Sequence, residues 1–124
     1  MKRIVAPEAP AAVGPYSHAV VHQNIAYISG QLGIDPGTNM LESTLETQTH
    51  RAMKNLIHVL ETCGGTVHDL IKCTIYLSDM DAFKVVNAIY ESYLEGSFPA
   101  RVALAVKTLP LNGLVEIDAI AAIK

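Results

Sequence analysis

The strands that this sequence can form are apolar in both phases, and that limits the fold more than any other feature. Ile71-Lys72-Cys73-Thr74-Ile75-Tyr76-Leu77, Arg101 to Val106 and Leu114 to Ala122 set Val, Ile, Ala and Leu at odd and even positions alike. Successive side chains of a strand point to opposite faces, so a sheet of such strands needs cover on both sides. Two helices are expected, and they can cover one side. A partner subunit is the expected cover for the other.

The first helix is read from Leu45, Thr49, Ala52, Met53, Leu56, Val59, Leu60 and Cys63, which recur at steps of three and four. It starts near Thr44 and stops at Gly64-Gly65, where glycine tolerates the left-handed conformation that follows a helix. The second carries Phe83, Val86, Ile89, Tyr90 and Tyr93 on its buried face, with Asp79 or Asp81 as cap and Gly96 as terminator. Ser17–Val21 and Ile25–Ser29 read as strands around a tight turn at Gln23-Asn24. Asp35–Asn39 is a turn in which Pro36 presets φ and Gly37 permits a positive one. Arg101–Val106 and Leu114–Ala122 are strands separated by the turn Leu109–Gly113. Strands bracketing two helices imply a mixed-sheet α+β or α/β sandwich, with both helices on one face. The whole chain, residues 1–124, is expected to be one domain.

Composition excludes several classes. With 50% hydrophobic and 17% charged residues the chain can build a core, which a disordered chain cannot. No apolar run approaches the roughly 20 residues that span a bilayer. Met1–Pro7 contains Lys2 and Arg3 but no apolar stretch, so no secretory leader is expected and a cytoplasmic location is. The net charge is −3 and the nine Lys and Arg are dispersed, which argues against nucleic acid as a partner. Cys63 and Cys73 are expected as buried free thiols.

The chemistry-bearing residues are few. His18 and His22 are four apart on a strand, hence about 13 Å from each other, and His50, His58 and His68 lack partners at ligand spacing. All five are read as surface or helix-face residues, and no metal or cofactor is expected. Nucleophile-elbow, P-loop and dinucleotide fingerprints are missing. Arg101 opens an otherwise apolar strand. Its planar fork suits a substrate carboxylate, or else it is a solvent-facing arginine bonded to Glu116 or Asp118. Glu116 and Asp118 share one strand face. Half-buried, Glu116 could serve as a general base; the alternative is an ordinary polar strand face. Pro15 stiffens the turn that presents Tyr16, and Gly30 would let backbone approach a ligand.

These segments together resemble the RidA family (YjgF, ribonuclease L-PSP-like). The likeness covers Gly14-Pro15-Tyr16-Ser17, Ile28 to Pro36, Gln48-Thr49, Asn55-Leu56, Val86-Asn87 with Tyr90, Pro99-Ala100-Arg101 and Val115-Glu116-Ile117. The resemblance implies a chorismate-mutase-like α+β fold, a homotrimer with sites between subunits, and cofactor-free hydrolysis of 2-iminobutanoate, 2-iminopropanoate and similar 2-imino acids. By that analogy Arg101 holds the carboxylate and Glu116 activates water, while Tyr16, Ser29, Gly30, Asn87 and Ala103 line the pocket. Val102 and Ala103 stand where many members have Ser or Thr and then Cys, and His18 stands where Gln is common. Two other functions are weighed: a ribonuclease or translation inhibitor, and a non-catalytic trimer that binds carboxylates or acts like a chaperone. Paired as a simple hairpin, the last two strands would set Glu116 opposite roughly Ala105, about 13 Å from Arg101. One small substrate would then need its two ends held by neighbouring subunits.

Overall fold

The apolar stripe forms the long helix where the sequence predicts it. In a computed structural model describing residues 1–124, α1 (Leu45–Thr62) is capped by Thr44, whose hydroxyl accepts from the Thr47 N–H at 3.1 Å. Thr47 Oγ1 returns the bond by accepting from the Thr44 N–H at 3.1 Å, so two otherwise orphaned donors are satisfied. The helix buries Thr49, Ala52, Met53, Leu56, Val59 and Leu60 and gives way to Gly64 at φ +91°. The second helix, α2 (Phe83–Ser92), has no side-chain cap of its own. Asp79 instead caps the single 3-10 turn before it, accepting from the Asp81 N–H at 2.8 Å.

The strands run β1 (Lys2–Ile4), β2 (Ala19–His22), β3 (Ile25–Leu32), β4 (Ile34–Asp35), β5 (Met40–Leu41), β6 (Leu70–Leu77), β7 (Ala100–Ala105) and β8 (Val115–Ala122). Six of them make one mixed sheet in the order β1-β2-β3-β8-β6-β7, and β4 pairs with β5 alone. The sequence reading did not include β1, which zips antiparallel onto β2. Gln23 and Asn24 take φ of +50° and +63°, the left-handed pair that a two-residue hairpin needs. In the Asp35–Asn39 turn the positive φ falls on Asn39, at +62°, rather than on Gly37. Asp35 Oδ1 stabilises that turn by accepting from the Gly37 N–H at 2.8 Å.

The last two strands do not form a hairpin. β8 lies between β3 and β6, antiparallel to both, and β7 pairs in parallel with the far side of β6. Burial decides this arrangement. β8 alternates buried Val115, Ile117, Ala119 and Ala121 with half-buried Glu116, Asp118 and Ile120, and only a central position covers so much of it. β7 is mostly exposed and takes the edge. A parallel β6–β7 pair requires a crossover, which α2 supplies.

Both helices pack on one face, against Ala26, Ile28, Cys73, Ile75, Leu77 and the buried residues of β8. The opposite face carries Val20, Tyr27, Tyr76, Val102, Leu104 and Ile120, with Tyr27 50%, Val102 42% and Leu104 38% exposed. The two-phase apolarity of the strands is thus real, and this chain's helices cover one side of it. No helix is long and apolar enough to cross a membrane.

Polar groups inside the core fasten α1 to the sheet. Asn55 Nδ2 donates to the carbonyls of Leu32 and Ile34 at 3.0 and 2.9 Å, and Gln48 Oε1 accepts from the Leu114 N–H at 2.9 Å. His18 corrects the reading of the histidines as surface or helix-face residues, because it is 4% exposed. Its Nδ1 accepts from the Ala6 N–H and its Nε2 donates to the Pro10 carbonyl, each at 2.8 Å, tying the N-terminal segment down. Cys73 is buried as expected, whereas Cys63 is only partly so.

The glycine that lies closest to another segment's backbone predicts a stability effect. A Cβ on Gly33 would lie 2.5 Å from Gln48 Cα, against backbone that cannot rotate away. Gly33→Ala should cost about 3 kcal/mol and lower the melting temperature by about 10 °C. Gly37→Ala, whose Cβ would meet only the Asp35 carboxylate at 3.3 Å, should cost much less; calorimetry of the two variants checks the difference.

Candidate active site

Arg101 is placed by the β6–α2–β7 crossover. It sits opposite Cys73 in the parallel register, so it faces the helices, beneath α2. Its guanidinium carbon lies 5.3 Å from the Phe83 ring centre and 5.4 Å from that of Tyr90, and Nη1 donates to Asn87 Oδ1. The side chain opens into a cleft of about 320 Å³ lined also by Asn87, Tyr90, Glu91, Phe98 and Pro99. It forms no ion pair with Glu116 or Asp118, so the sequence-level alternative of a carboxylate-bonded strand-end arginine does not hold.

Glu116 belongs to the other face. It lies opposite Tyr76 on β6 and opposite Leu32 on β3. Between Ile28 and Gln31, β3 bulges by one residue relative to β8, and Gly30 sits in the bulge. A Cβ there would fall 2.9 Å from Glu116 Cδ, so the close approach that glycine permits at this point is that of the Glu116 side chain itself. Burial, with the nearby Asp118 charge adding to it, raises the Glu116 carboxyl above its ordinary range. Asp118 is itself engaged, accepting from Tyr76 Oη at 2.8 Å. Ser29 Oγ donates to the Ser17 carbonyl at 2.7 Å and so ties the segment bearing Tyr16 to β3. Tyr16, Ser29, Gly30, Gln31, Leu111 and Glu116 share a cleft of about 710 Å³.

The expected site residues therefore fall into two groups. Tyr16, Ser29 and Gly30 gather around Glu116, and Asn87 joins Arg101. Ala103 lines neither cleft; it shares the helix-side face of β7 with Arg101 and packs against the core. Cys73 and Tyr76 are three positions apart on β6, so Arg101 and Glu116 point to opposite faces, about 10 Å or more apart along the strands alone. The hairpin reasoning reached a separation through the wrong pairing; in the observed pairing the two residues are parted by three strand positions, by the intervening strand β6 and by the sheet itself. No three His, Cys, Asp or Glu side chains converge as a metal-ligand set.

Sequence reasoning assigned Phe83 and Tyr90 to the core face of α2 and did not connect them with Arg101. The available signal was Asn87, a polar residue set between Phe83 and Tyr90 at spacings of four and three.

Residues 6–123 match the family described as Endoribonuclease L-PSP. The chain is 44% identical to the 2-iminobutanoate/2-iminopropanoate deaminase of Mus musculus, over 97% of this chain and 90% of that protein. It is 43% identical to a RutC family protein of Aquifex aeolicus, over 98% of each. Its fold matches the crystal structure of RidA from the Antarctic bacterium Psychrobacter sp. PAMC 21119 with a TM-score of 0.96 and 40% identity, covering 99% of this chain and 100% of that one. As its resemblance to RidA proteins implies, this chain belongs to the endoribonuclease L-PSP family.

Proposed function

We propose that this protein hydrolyses 2-imino acids to 2-oxo acids and ammonia, at sites completed between subunits of a homotrimer. The observation that carries the reading is Arg101, a fixed guanidinium that opens into a cleft and has no carboxylate partner of its own. A planar fork left unneutralised is suited to a carboxylate, the group that every 2-imino acid carries. The relatives named 2-iminobutanoate/2-iminopropanoate deaminase support the same chemistry.

Arg101 would hold the substrate carboxylate while Glu116 of a neighbouring chain accepts a proton from water. The water oxygen bonds to the imine carbon as the C=N π pair moves onto nitrogen, which takes the proton back from Glu116. The resulting carbinolamine transfers its hydroxyl proton to nitrogen and expels ammonia, leaving the 2-oxo acid. Orientation supplies much of the rate, because an imine carbon is already electrophilic. The apolar open face of the sheet, with Tyr27, Val102 and Leu104, is the surface on which such subunits would meet. The dispersed basic residues and net charge of −3 favour a small anion over RNA as substrate.

Four outcomes test this. Light scattering should give roughly 40 kDa, three chains of 13.3 kDa. A monomer at micromolar concentration would remove the shared site. Arg101→Ala and Glu116→Gln should each lose at least about a hundredfold in turnover of an imine generated in situ and followed by semicarbazide trapping. Co-refolded in equal amounts they should recover roughly a quarter of the sites, since one chain then supplies the arginine and its neighbour the glutamate. Mixtures that stay inactive would place both residues of a site in one chain. Because the carboxyl of Glu116 is raised, its basic form is lost as pH falls through that raised value. The acid limb of kcat/KM should lie above pH 4.5, the ordinary value for this group, and should be missing from the residual activity of Glu116→Gln.

A further inference from the structure

An arginine that must bind an anion faces two competing needs: it has to be held still, and its charge must not be neutralised beforehand. The surroundings of Arg101 meet both. Phe83, Asn87 and Tyr90 lie on one stripe of α2, at successive steps of four and three, and all three touch the guanidinium. Aromatic faces attract a cation through their quadrupole yet accept none of its in-plane N–H bonds. The neutral Asn87 amide occupies one N–H and leaves the others free. A carboxylate in the same place would compete with any anionic ligand.

The two rings are anchored differently. Tyr90 is 4% exposed, and its hydroxyl lies beside the Cys73 thiol without a well-formed hydrogen bond. It is fixed in the core. Phe83 is only partly buried and packs against the core's edge, so it can change without opening a large cavity. Asn87, Tyr90 and Arg101 all line the cleft, whereas Phe83 does not; Phe83 matters because the guanidinium rests on it.

We propose that Phe83 and Tyr90 are positioning residues, an aromatic cradle that aims the Arg101 fork at the substrate carboxylate, with Phe83 setting its reach. The proposal rests on the reading that Arg101 binds the carboxylate of a 2-imino acid. It differs from a packing role in one respect: the ring face, and not merely apolar volume, is required at position 83.

Phe83→Leu keeps apolar bulk and removes the ring face, and Phe83→Tyr restores the face. Direct titration with 2-oxobutanoate, the carboxylate product of 2-iminobutanoate hydrolysis, measures the cradle without turnover. For Phe83→Leu its Kd and the KM for 2-iminobutanoate should both rise about five- to tenfold, with kcat within about twofold of the unaltered protein. The melting temperature should stay within about 5 °C. Phe83→Tyr should return both constants to the original range. Unchanged 2-oxobutanoate affinity in Phe83→Leu would overturn the cradle, as would failure of Phe83→Tyr to restore it. If the unaltered protein binds 2-oxobutanoate but turns over no imine, the deaminase reading fails while the cradle stands or falls on the titrations. If the unaltered protein does not bind 2-oxobutanoate at all, both are overturned.

Discussion

Two amide side chains on α1 hold together the strands on which the rest of the site is built. Asn55 takes the Leu32 and Ile34 carbonyls where β3 ends, and Gln48 takes the Leu114 N–H where β8 begins. Those strand ends carry Gly30 and Glu116 within a few residues. Both amides are buried, and leaving such partners unpaired costs about 1–3 kcal/mol each. The helix is thereby held at a fixed height above the sheet, close enough that Gly33 lies against the Gln48 backbone. An apolar contact there would give similar burial with a softer fix. Hydrogen bonds to backbone set the register of β3 against β8, and so fix where the Glu116 carboxylate stands relative to the bulge.

Much of the fold can be read from local pattern. The α1 stripe, its Thr44 start and Gly64 stop, and the left-handed Gln23-Asn24 turn all follow from side-chain period and backbone sterics. Strand partnership does not. Leu114–Ala122 and Arg101–Val106 are neighbours in sequence, and a turn-forming segment separates them, yet β6 lies between them. What settles the order is the difference in burial between a strand needed at the centre and one tolerated at the edge, and that depends on every other strand at once. His18 was equally opaque: its partners are the backbone of Ala6 and Pro10, in a segment without periodicity.

The candidate site divides along the same line. Arg101, Asn87 and Glu116 were identifiable from residue type and family likeness. Phe83 and Tyr90 were hidden by their own apolarity, because an aromatic residue at helical spacing reads as core whether or not a cation lies upon it. Face assignment was also beyond local pattern. Arg101 and Glu116 lie on opposite sides of the sheet because of their parity relative to β6, a strand to which neither belongs.

Cys73 gives the cradle a built-in gauge. The thiol is wholly buried beneath Tyr90, and burial pushes it away from the reactive thiolate form. An alkylating reagent can reach it only when α2 lifts from the sheet, so its labelling rate counts those openings. Cys63, partly exposed at the end of α1, reacts without any such movement and serves as an internal clock. The ratio of the two rates, read by mass spectrometry on unmodified protein, reports how firmly the element carrying Phe83, Asn87 and Tyr90 is seated. A ligand that engages Arg101 would slow the first reaction and leave the second alone.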